Sequence, residues 1–242
     1  LDTTATPAPT VVITEDANND GLISKAELDG KVDVTITVPT EANVGDTLNV
    51  TNPDGTTTTV EITADIKTSG YKTSYDAPAE GGTITVSATI TDKAGNTSLP
   101  GSDTATLDTT ATPAPTVVIT EDANNDGLIS KAELDGKVDV TITVPTEANV
   151  GDTLNVTNPD GETTTVEITA DIKDNGYKTS YDKPADGSTI TVSATITDKA
   201  GNISLPGSDT ATLDTTATPA GRAARREKVN NQGQISKAEV DG

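Results

Sequence analysis

Two twelve-residue segments hold the side chains best suited to chemistry in this 242-residue chain. Residues 16–27 read Asp-Ala-Asn-Asn-Asp-Gly-Leu-Ile-Ser-Lys-Ala-Glu, and the same sequence recurs at 122–133. Oxygen-bearing side chains occupy positions 1, 3, 5, 9 and 12, with glycine at position 6. A hard cation such as Ca²⁺ takes about six to eight oxygen ligands, so the chain must coil tightly around it, and glycine permits the sharp bend. The pattern therefore predicts a calcium site in each segment.

Both segments resemble the calcium loop of EF-hand proteins. We expect side-chain ligands at positions 1, 3 and 5, a backbone carbonyl at 7, a direct or water-mediated ligand at 9 and a bidentate carboxylate at 12. These are Asp16, Asn18, Asp20, Leu22, Ser24 and Glu27 in the first segment, and Asp122, Asn124, Asp126, Leu128, Ser130 and Glu133 in the second. The alternative is an acidic turn without metal. The flanks differ from an EF-hand, because residues 10–14 resemble a strand and only one helical turn fits between residues 24 and 30.

Composition excludes most other chemistry. The chain has no His, Cys, Met, Trp or Phe, which removes imidazole bases, thiol nucleophiles and disulfides. With 38 acidic against 16 basic side chains, its net charge is −22. That charge argues against nucleic acid or an anionic membrane as a partner and favours metal cations. No apolar run approaches the ~20 residues of a membrane span, and because the chain begins within a repeat and without a signal peptide, we expect a fragment of a longer protein.

The chain is a tandem repeat. Residues 1–106 recur as 107–212 without insertion or deletion and with seven substitutions. A period near one hundred residues is too long for a solenoid unit and fits one small domain. We therefore expect one domain in 1–106, a second in 107–212, and a truncated or diverged start of a third in 213–242, with each repeat contacting its neighbours in the same chain and the chain monomeric.

The last thirty residues depart from the repeat. All three arginines of the chain lie there, and Lys228 and Gln232 replace the acidic residues at positions 1 and 5 of the calcium segment. A cationic side chain at position 1 would repel the ion. We predict no calcium at residues 228–239 and no folded domain in this tail, whose arginine-rich part spans 221–234.

Within a repeat the pattern predicts an all-β fold. Residues 32–38, 59–63 and 83–91 alternate apolar with polar and are rich in β-branched side chains, as half-buried strands are. Turn residues fall between them at 52–55, 69–70, 80–82 and 94–96. About seven short strands in one hundred residues indicate an immunoglobulin-like sandwich, so we expect tandem sandwiches in an extended rod. The core must consist of Val, Ile, Leu and Ala, and such a core predicts marginal stability without further support.

The topology of such a sandwich predicts a second cluster of acidic groups at the joint between repeats. The loop between the first two strands lies at the pole where the chain exits, and the loop between the last two strands lies where it enters. Acidic groups meeting there repel one another unless a cation bridges them; the alternative is a plain turn with solvated carboxylates. The candidate ligands of this junction ion are Asp108, Asp198 and Asn202, with equivalent positions at Asp2, Asp92, Asn96 and Asp214.

These features together resemble one family. The near-identical repeats, the Leu-Asp-Thr-Thr linker at 1 and 107, the Asp-Lys-Ala-Gly-Asn phrase at 92 and 198, and the calcium segments are similar to the immunoglobulin-like extender repeats of giant RTX-type bacterial adhesins. The resemblance covers residues 1–220. It implies type I secretion, a cell-surface location, calcium at the joints and a stalk role without contact with the membrane. Enzymatic activity is not expected, because near-identical copies of a small sandwich offer little concavity for an active-site cleft.

Charge supplies a physical reason for such a role. Eleven or twelve net negative charges per repeat oppose compaction when calcium is scarce, and loops of extracellular modules bind calcium at about 10⁻⁴–10⁻³ M, so calcium outside the cell would drive folding. Two alternatives remain. One is a module that binds ice, saccharide or protein directly through threonine-rich strands, which a regular threonine lattice across several strands would favour. The other is a glycosidase with paired carboxylates, which would need a cleft.

Overall fold

The computed structural model describes residues 2–216, which form two copies of one β-sandwich. The first copy contains the strands β1 (Thr10–Ile13), β2 (Leu22–Ile23), β3 (Lys31–Thr37), β4 (Thr47–Thr51), β5 (Thr57–Glu61), β6 (Tyr71–Asp76), β7 (Thr83–Thr91) and β8 (Gly101–Leu107), and the helix α1 (Ala64–Ser69). The second contains β9 (Thr116–Ile119), β10 (Leu128–Ser130), β11 (Lys137–Thr143), β12 (Thr153–Thr157), β13 (Thr163–Glu167), β14 (Tyr177–Asp182), β15 (Thr189–Thr197) and β16 (Gly207–Asp214), and the helix α2 (Ala170–Asn175).

Each copy packs a three-stranded sheet on a five-stranded sheet. In the first copy the strand orders are β1-β3-β6 and β2-β8-β7-β4-β5, and the second copy repeats them as β9-β11-β14 and β10-β16-β15-β12-β13. All pairings are antiparallel except β2 with β8 and β10 with β16, which are parallel. The predicted all-β sandwich is confirmed. The helix was not predicted, because Thr63 was included in a strand, whereas its side chain caps α1 by accepting a hydrogen bond from the Ile66 backbone N–H.

The core of each copy is built from Val, Ile, Leu and Ala, as predicted. Strand β3 shows why, since Val32, Val34 and Ile36 are buried while the alternate residues face outward. Burying one such side chain fully stabilises a fold by about 1.5–3 kcal/mol. The first core ends with Leu107, one residue beyond the 106-residue sequence repeat. The second core runs from Val117 to Leu213.

The first strand of each copy is attached to the last. Gly101 lies so close to Pro9 that an added Cβ would stand 1.9 Å from the Pro9 carbonyl oxygen, and the Asp103 carboxylate accepts a hydrogen bond from Ile13 N at 2.8 Å. Because β1 belongs to one sheet and β2 to the other, residues 14–21 cross between the sheets. They cross beside the end of β8, where the chain leaves the repeat. The predicted calcium segment therefore lies at the exit pole.

No helix within residues 2–216 is long and apolar enough to cross a membrane. The predictions for the tail, including the expected absence of calcium at 228–239, fall outside the described residues.

Candidate metal centre

The backbone of the first calcium segment is tightly coiled. Asn19 and Gly21 adopt left-handed conformations, with φ of 56° and 87°, and Asn125 and Gly127 repeat them in the second segment with φ of 55° and 84°. Glycine adopts this conformation without steric cost, and asparagine tolerates it better than most residues. The bend predicted at position 6 is therefore present in both segments.

The carboxylate at position 1 organises the coil. The two oxygens of Asp16 accept hydrogen bonds from Asp20 N at 3.1 Å and Gly21 N at 2.9 Å. Asp16 is buried, and Asp122 makes the same two contacts in the second segment. A buried carboxylate is tolerated only when it is paired or hydrogen-bonded. The side chain at position 1 is thus fixed at the centre of the loop.

The glutamate at position 12 folds back over the loop. Glu27 Oε2 accepts hydrogen bonds from Ser24 N at 2.9 Å and Ser24 Oγ at 2.7 Å. Burial raises the pKa of Glu27, but the hydrogen bonds from Ser24, Asn18 and Ala17 outweigh that effect and hold its pKa below the ordinary value. In the second segment, hydrogen bonds from Ser130 lower the pKa of Glu133. Both glutamates are therefore anionic at neutral pH.

Positions 3 and 5 form the exposed rim of the loop. Asn18 Nδ2 donates to Asp20 Oδ2 at 2.9 Å, and Asp20 N donates to Asn18 Oδ1 at 3.0 Å. Asp20 Oδ1 also accepts from Leu22 N at 2.9 Å. Leu22 itself lies in β2, where Thr106 N donates to Gly21 O at 2.9 Å and Asp108 N donates to Ile23 O at 3.0 Å. The second half of the loop is therefore bonded to the end of β8, the strand after which the chain leaves the repeat.

The six predicted ligands of each segment share one loop, but their carboxylates bond to the loop backbone and do not converge on one point. Within residues 2–216, no three acidic side chains are grouped closely enough to hold a metal. The donor set nevertheless fits calcium. It consists only of oxygens, carries three carboxylates and lies on a tightly coiled backbone, which are the properties that this hard cation requires.

A buried glutamate beside the loop was missed by the sequence analysis. Glu15 precedes Asp16 and is buried, and its carboxylate accepts a hydrogen bond from Asp29 N. Glu121 and Asp135 repeat the contact in the second copy. Glu15 thereby closes the base of the loop. The available signal was the alternation of the preceding strand, which Glu15 continues on the buried side after Val11 and Ile13.

The three elements predicted to meet at the joint do meet. We define the joint by residues 24–27 of the first loop, the linker 108–111 and the turn 198–202. Asn202 Oδ1 accepts a hydrogen bond from Lys25 N at 3.0 Å. Its Nδ2 donates to Asp108 O at 2.8 Å and to Asp198 Oδ2 at 3.0 Å. A cavity of about 350 Å³ beside these contacts is lined by residues from both repeats and the linker, including Ala26, Ala111 and Ile203.

Like charges accumulate at the joint. Burial raises the pKa of Asp108, and the negative charges of Asp198 and Glu80 raise it further. Asn202 Nδ2 lies 3.5 Å from Asp108 Oδ1 and 3.0 Å from Asp198 Oδ2, so the two carboxylates lie on either side of one amide nitrogen. A cation at this position would relieve the repulsion between these like charges.

Glu80 is a second residue that sequence reasoning missed. Its carboxylate accepts hydrogen bonds from Thr109 N at 2.9 Å, Thr109 Oγ1 at 2.8 Å and Thr110 N at 3.1 Å. Asp186 holds Thr215 in the same way at the end of the second copy. The signal was available, because the position changes from Glu to Asp between the copies but stays acidic.

The remaining junction candidates lie away from the contact between the two repeats. Asp2, Asp92 and Asn96 lie where the chain enters the first copy, and Asp214 lies where the chain leaves the second copy. Asn96 Nδ2 donates to Asp92 Oδ2 at 2.8 Å and to Asp2 O at 3.3 Å, which reproduces part of the joint. Asp214 ends β16, where its Oδ1 accepts from Thr216 N at 3.3 Å. Asp214 thus belongs to the exit of the second copy and lies apart from the other candidates.

A threonine-rich lattice covers the outer face of the five-stranded sheet. Its neighbouring hydroxyls bond across strands, as in Thr83 with Thr106 at 3.2 Å and Thr85 with Thr104 at 2.9 Å. Asn49 extends the pattern by donating to Thr91 Oγ1 at 3.1 Å. The second copy repeats the lattice. The outward side chains on four strands of the first copy are Thr57, Thr59, Glu61, Thr47, Asn49, Thr51, Thr83, Thr85, Ser87, Thr89, Thr91, Ser102, Thr104 and Thr106.

Comparison with known proteins gives one family match and several similar structures. A family model of the EF hand matches residues 16–32 and 122–138. No curated protein matches the chain. A structure of a Ca²⁺-stabilised adhesin that helps an Antarctic bacterium reach out and bind ice is 27% identical, with a TM-score of 0.46, and the match covers 90% of this chain and 51% of that one.

Two other solved structures are similar. A structure from work on a 1.5-MDa bacterial ice-binding adhesin is 24% identical, with a TM-score of 0.43, and the match covers 88% of this chain and 67% of the chain in that structure. The fibronectin(III)-like modules of Clostridium thermocellum CbhA are 12% identical over 88% of this chain and 93% of theirs, with a TM-score of 0.47. The chain spans about half the length of the Antarctic adhesin structure. Two of these three similar structures are of bacterial adhesins.

Proposed function

We propose that this chain is a calcium-rigidified spacer in the stalk of a bacterial surface adhesin, acting outside the cell and without enzymatic activity. The observation that carries the proposal is the position of the first loop. The segment that matches the EF hand lies at the exit pole of its sandwich, and Lys25 within it bonds directly to the next repeat. Calcium bound there would stiffen the loop and the joint together.

The proposed loop ligands are the six oxygen donors of each segment, and the proposed domains are the two repeats. Calcium neutralises the carboxylates at positions 1, 5 and 12 when it is bound. The protein's own residues hold those carboxylates in one loop, through the backbone hydrogen bonds that Asp16 and Glu27 accept. At the joint, Asp108 and Asp198 are the proposed carboxylate ligands of a further ion.

Stiffening follows from the chemistry of the linker. Pro113 and Pro115 restrict the backbone to extended conformations before any metal is added, and Glu80 fixes Thr109 and Thr110 at the start of the linker. The freedom that remains lies in the contact between the first loop and the turn 198–202. An ion that fixes this contact converts two linked sandwiches into one extended unit.

A calcium titration followed by calorimetry tests the proposal. We expect at least two ions to bind per chain, at about 10⁻⁴–10⁻³ M, and the melting temperature to rise with calcium concentration and to fall on addition of EDTA. Magnesium at equal ionic strength is the control for general charge screening. Absence of heat and an unchanged melting temperature would contradict the proposal.

The threonine lattice supports a second candidate function, direct adhesion to ice, saccharide or protein. Its hydroxyls repeat in register across four strands of each copy, which is the observation that favours it. Many of these hydroxyls bond to one another, which leaves fewer groups for a ligand. Replacing Thr85, Thr104 and their equivalents Thr191 and Thr210 with Lys should abolish binding to ice or to immobilised saccharide if the lattice is adhesive. It should leave the calcium response of the spacer unchanged.

A further inference from the structure

Asn202 makes the direct hydrogen bond between the second repeat and the loop of the first. Its carbonyl oxygen accepts from Lys25 N, while its amide nitrogen donates to the Asp108 carbonyl and to the Asp198 carboxylate. The residue is buried, with 7% of its surface exposed. One side chain therefore connects the first loop, the linker and the turn of the second repeat.

The chemistry of the carboxamide determines what this position can do. An asparagine side chain offers two N–H donors and one acceptor oxygen. At Asn202 both donors and the oxygen have protein partners. An aspartate of the same shape could not donate to the Asp108 carbonyl, and it would repel the Asp198 carboxylate. The position therefore needs a neutral donor and acceptor, which differs from the requirement of a cation ligand.

Lys25 connects this contact to the state of the first loop. It occupies position 10 of the segment, directly after Ser24, and Ser24 bonds to Glu27 through both its amide and its hydroxyl. The Lys25 amide is thus held in the short turn between two proposed ligands. A change in the position of Glu27 would therefore move the Lys25 N–H, from which Asn202 accepts a hydrogen bond.

The second loop has a different position. Gly127 O accepts from Thr212 N at 2.9 Å, so residues 122–133 lie beside the exit end of the second copy. Among residues 2–216, the hydrogen bonds of this loop stay within its own repeat. Its sequence is identical to the first loop, which makes it a matched internal control.

We propose that Asn202 is a positioning residue through which the first calcium loop, and not the second, controls the joint between the repeats. The proposal rests on calcium binding by the loops, as set out under the proposed function. The sequence predicts Asn202 as a ligand of the junction ion, whereas this proposal makes it a residue that positions the two repeats. It also makes each joint depend on the loop that precedes it in the chain.

Spin-label distance measurements on the full chain test the proposal. The chain has no cysteine, so Thr57→Cys and Thr163→Cys, both at exposed positions, introduce one label in each repeat. In millimolar calcium the parent should give one narrow distance distribution. Asn202→Asp should broaden it at least twofold. The matched variant Asn96→Asp, which changes the same turn in the first repeat, should leave it narrow.

Calorimetry on the same variants separates positioning from ligation. Asn202→Asp should bind as many calcium ions as the parent, because Asn202 is not a ligand in this proposal. A loss of one ion, or an unchanged narrow distribution, would overturn it. Asn96→Asp also controls for damage to the turn itself. Asn96 N donates to Asp92 and Asn202 N donates to Asp198, each at 2.8 Å.

Paired loop variants test the direction of control. Asp16→Ala with Asp20→Ala should broaden the distribution, whereas Asp122→Ala with Asp126→Ala should not. Equal broadening by both pairs would overturn the inference while leaving the spacer proposal intact. If calcium did not change the distance distribution of the parent, the spacer proposal and the control of the joint by the loop would both be overturned. The comparison of Asn202→Asp with the parent would then decide separately whether Asn202 positions the repeats.

Discussion

The turns at 92–96 and 198–202 are identical in sequence, but within residues 2–216 only the second packs against another repeat. Asn202 is buried, and it donates to the Asp108 carbonyl at 2.8 Å and accepts from Lys25 N. Asn96 is half-buried and donates to the Asp2 carbonyl at 3.3 Å. The same five residues therefore form a turn in one place and part of an interface in the other. The interface depends on the preceding sandwich as much as on the motif.

The two loops show the same contrast. Ser24 is buried and Leu22 is half-buried in the first loop, whereas Ser130 is half-buried and Leu128 is 46% exposed in the second. In both loops the carboxylates at positions 1 and 12 nevertheless accept the same hydrogen bonds. The internal geometry of the loop comes from its own sequence. The cover over its second half comes from the neighbouring repeat.

The largest expected effect should be equal in the two copies. Ile36→Ala and Ile142→Ala each remove a fully buried side chain from equivalent cores, so each should lower the free energy of unfolding of its own repeat by about 2–5 kcal/mol. Urea denaturation of the chain, followed by tyrosine fluorescence, would measure this. A large loss from one substitution alone would show that the two cores are not equivalent.

Loss of one calcium loop should have a smaller, separable effect. Asp16→Ala with Asp20→Ala should remove one bound ion and about 1.4–2.7 kcal/mol of calcium-dependent stability at ten to one hundred times the dissociation constant. Asp122→Ala with Asp126→Ala should do the same in the second repeat. Calorimetric titration gives the stoichiometry. Equal stoichiometry in variant and parent would count against the ligand assignment.

Removal of the glutamate that holds the linker should loosen the joint without unfolding either repeat. Glu80→Gln weakens the hydrogen bonds to Thr109 and Thr110, and it should broaden the spin-label distribution measured in calcium. Asp186→Asn changes the equivalent contact beyond the second repeat and serves as the control. An unchanged distance distribution in both variants would show that Glu80 does not hold the linker.

The smallest effect is expected at the residue that directly follows the two identical turns, where the copies differ. Ile203 is 63% exposed beside the joint cavity, where the first copy has Thr97. Ile203→Thr should change stability by less than about 0.5 kcal/mol and leave the inter-repeat distance unchanged. A clear broadening would mean that apolar contact, in addition to the hydrogen bonds of Asn202, fixes the joint.

Much of the fold was predictable from sequence because local patterns determine it. Alternation of apolar and polar residues identified strands such as β3 and β7, and glycine at position 6 identified the bend of the loop. The contacts of Glu15, Glu80 and Lys25 were not predictable in this way. Each depends on a partner that tertiary packing brings close, and in Lys25 the contact uses a backbone N–H, which carries no sequence signal.

Small-angle X-ray scattering of the chain with and without calcium tests the central claim most directly. We expect one well-defined maximum dimension in millimolar calcium, and in EDTA a scattering profile typical of two sandwiches moving about a flexible linker. Profiles that superimpose in the two conditions, together with an unchanged melting temperature, would contradict the account.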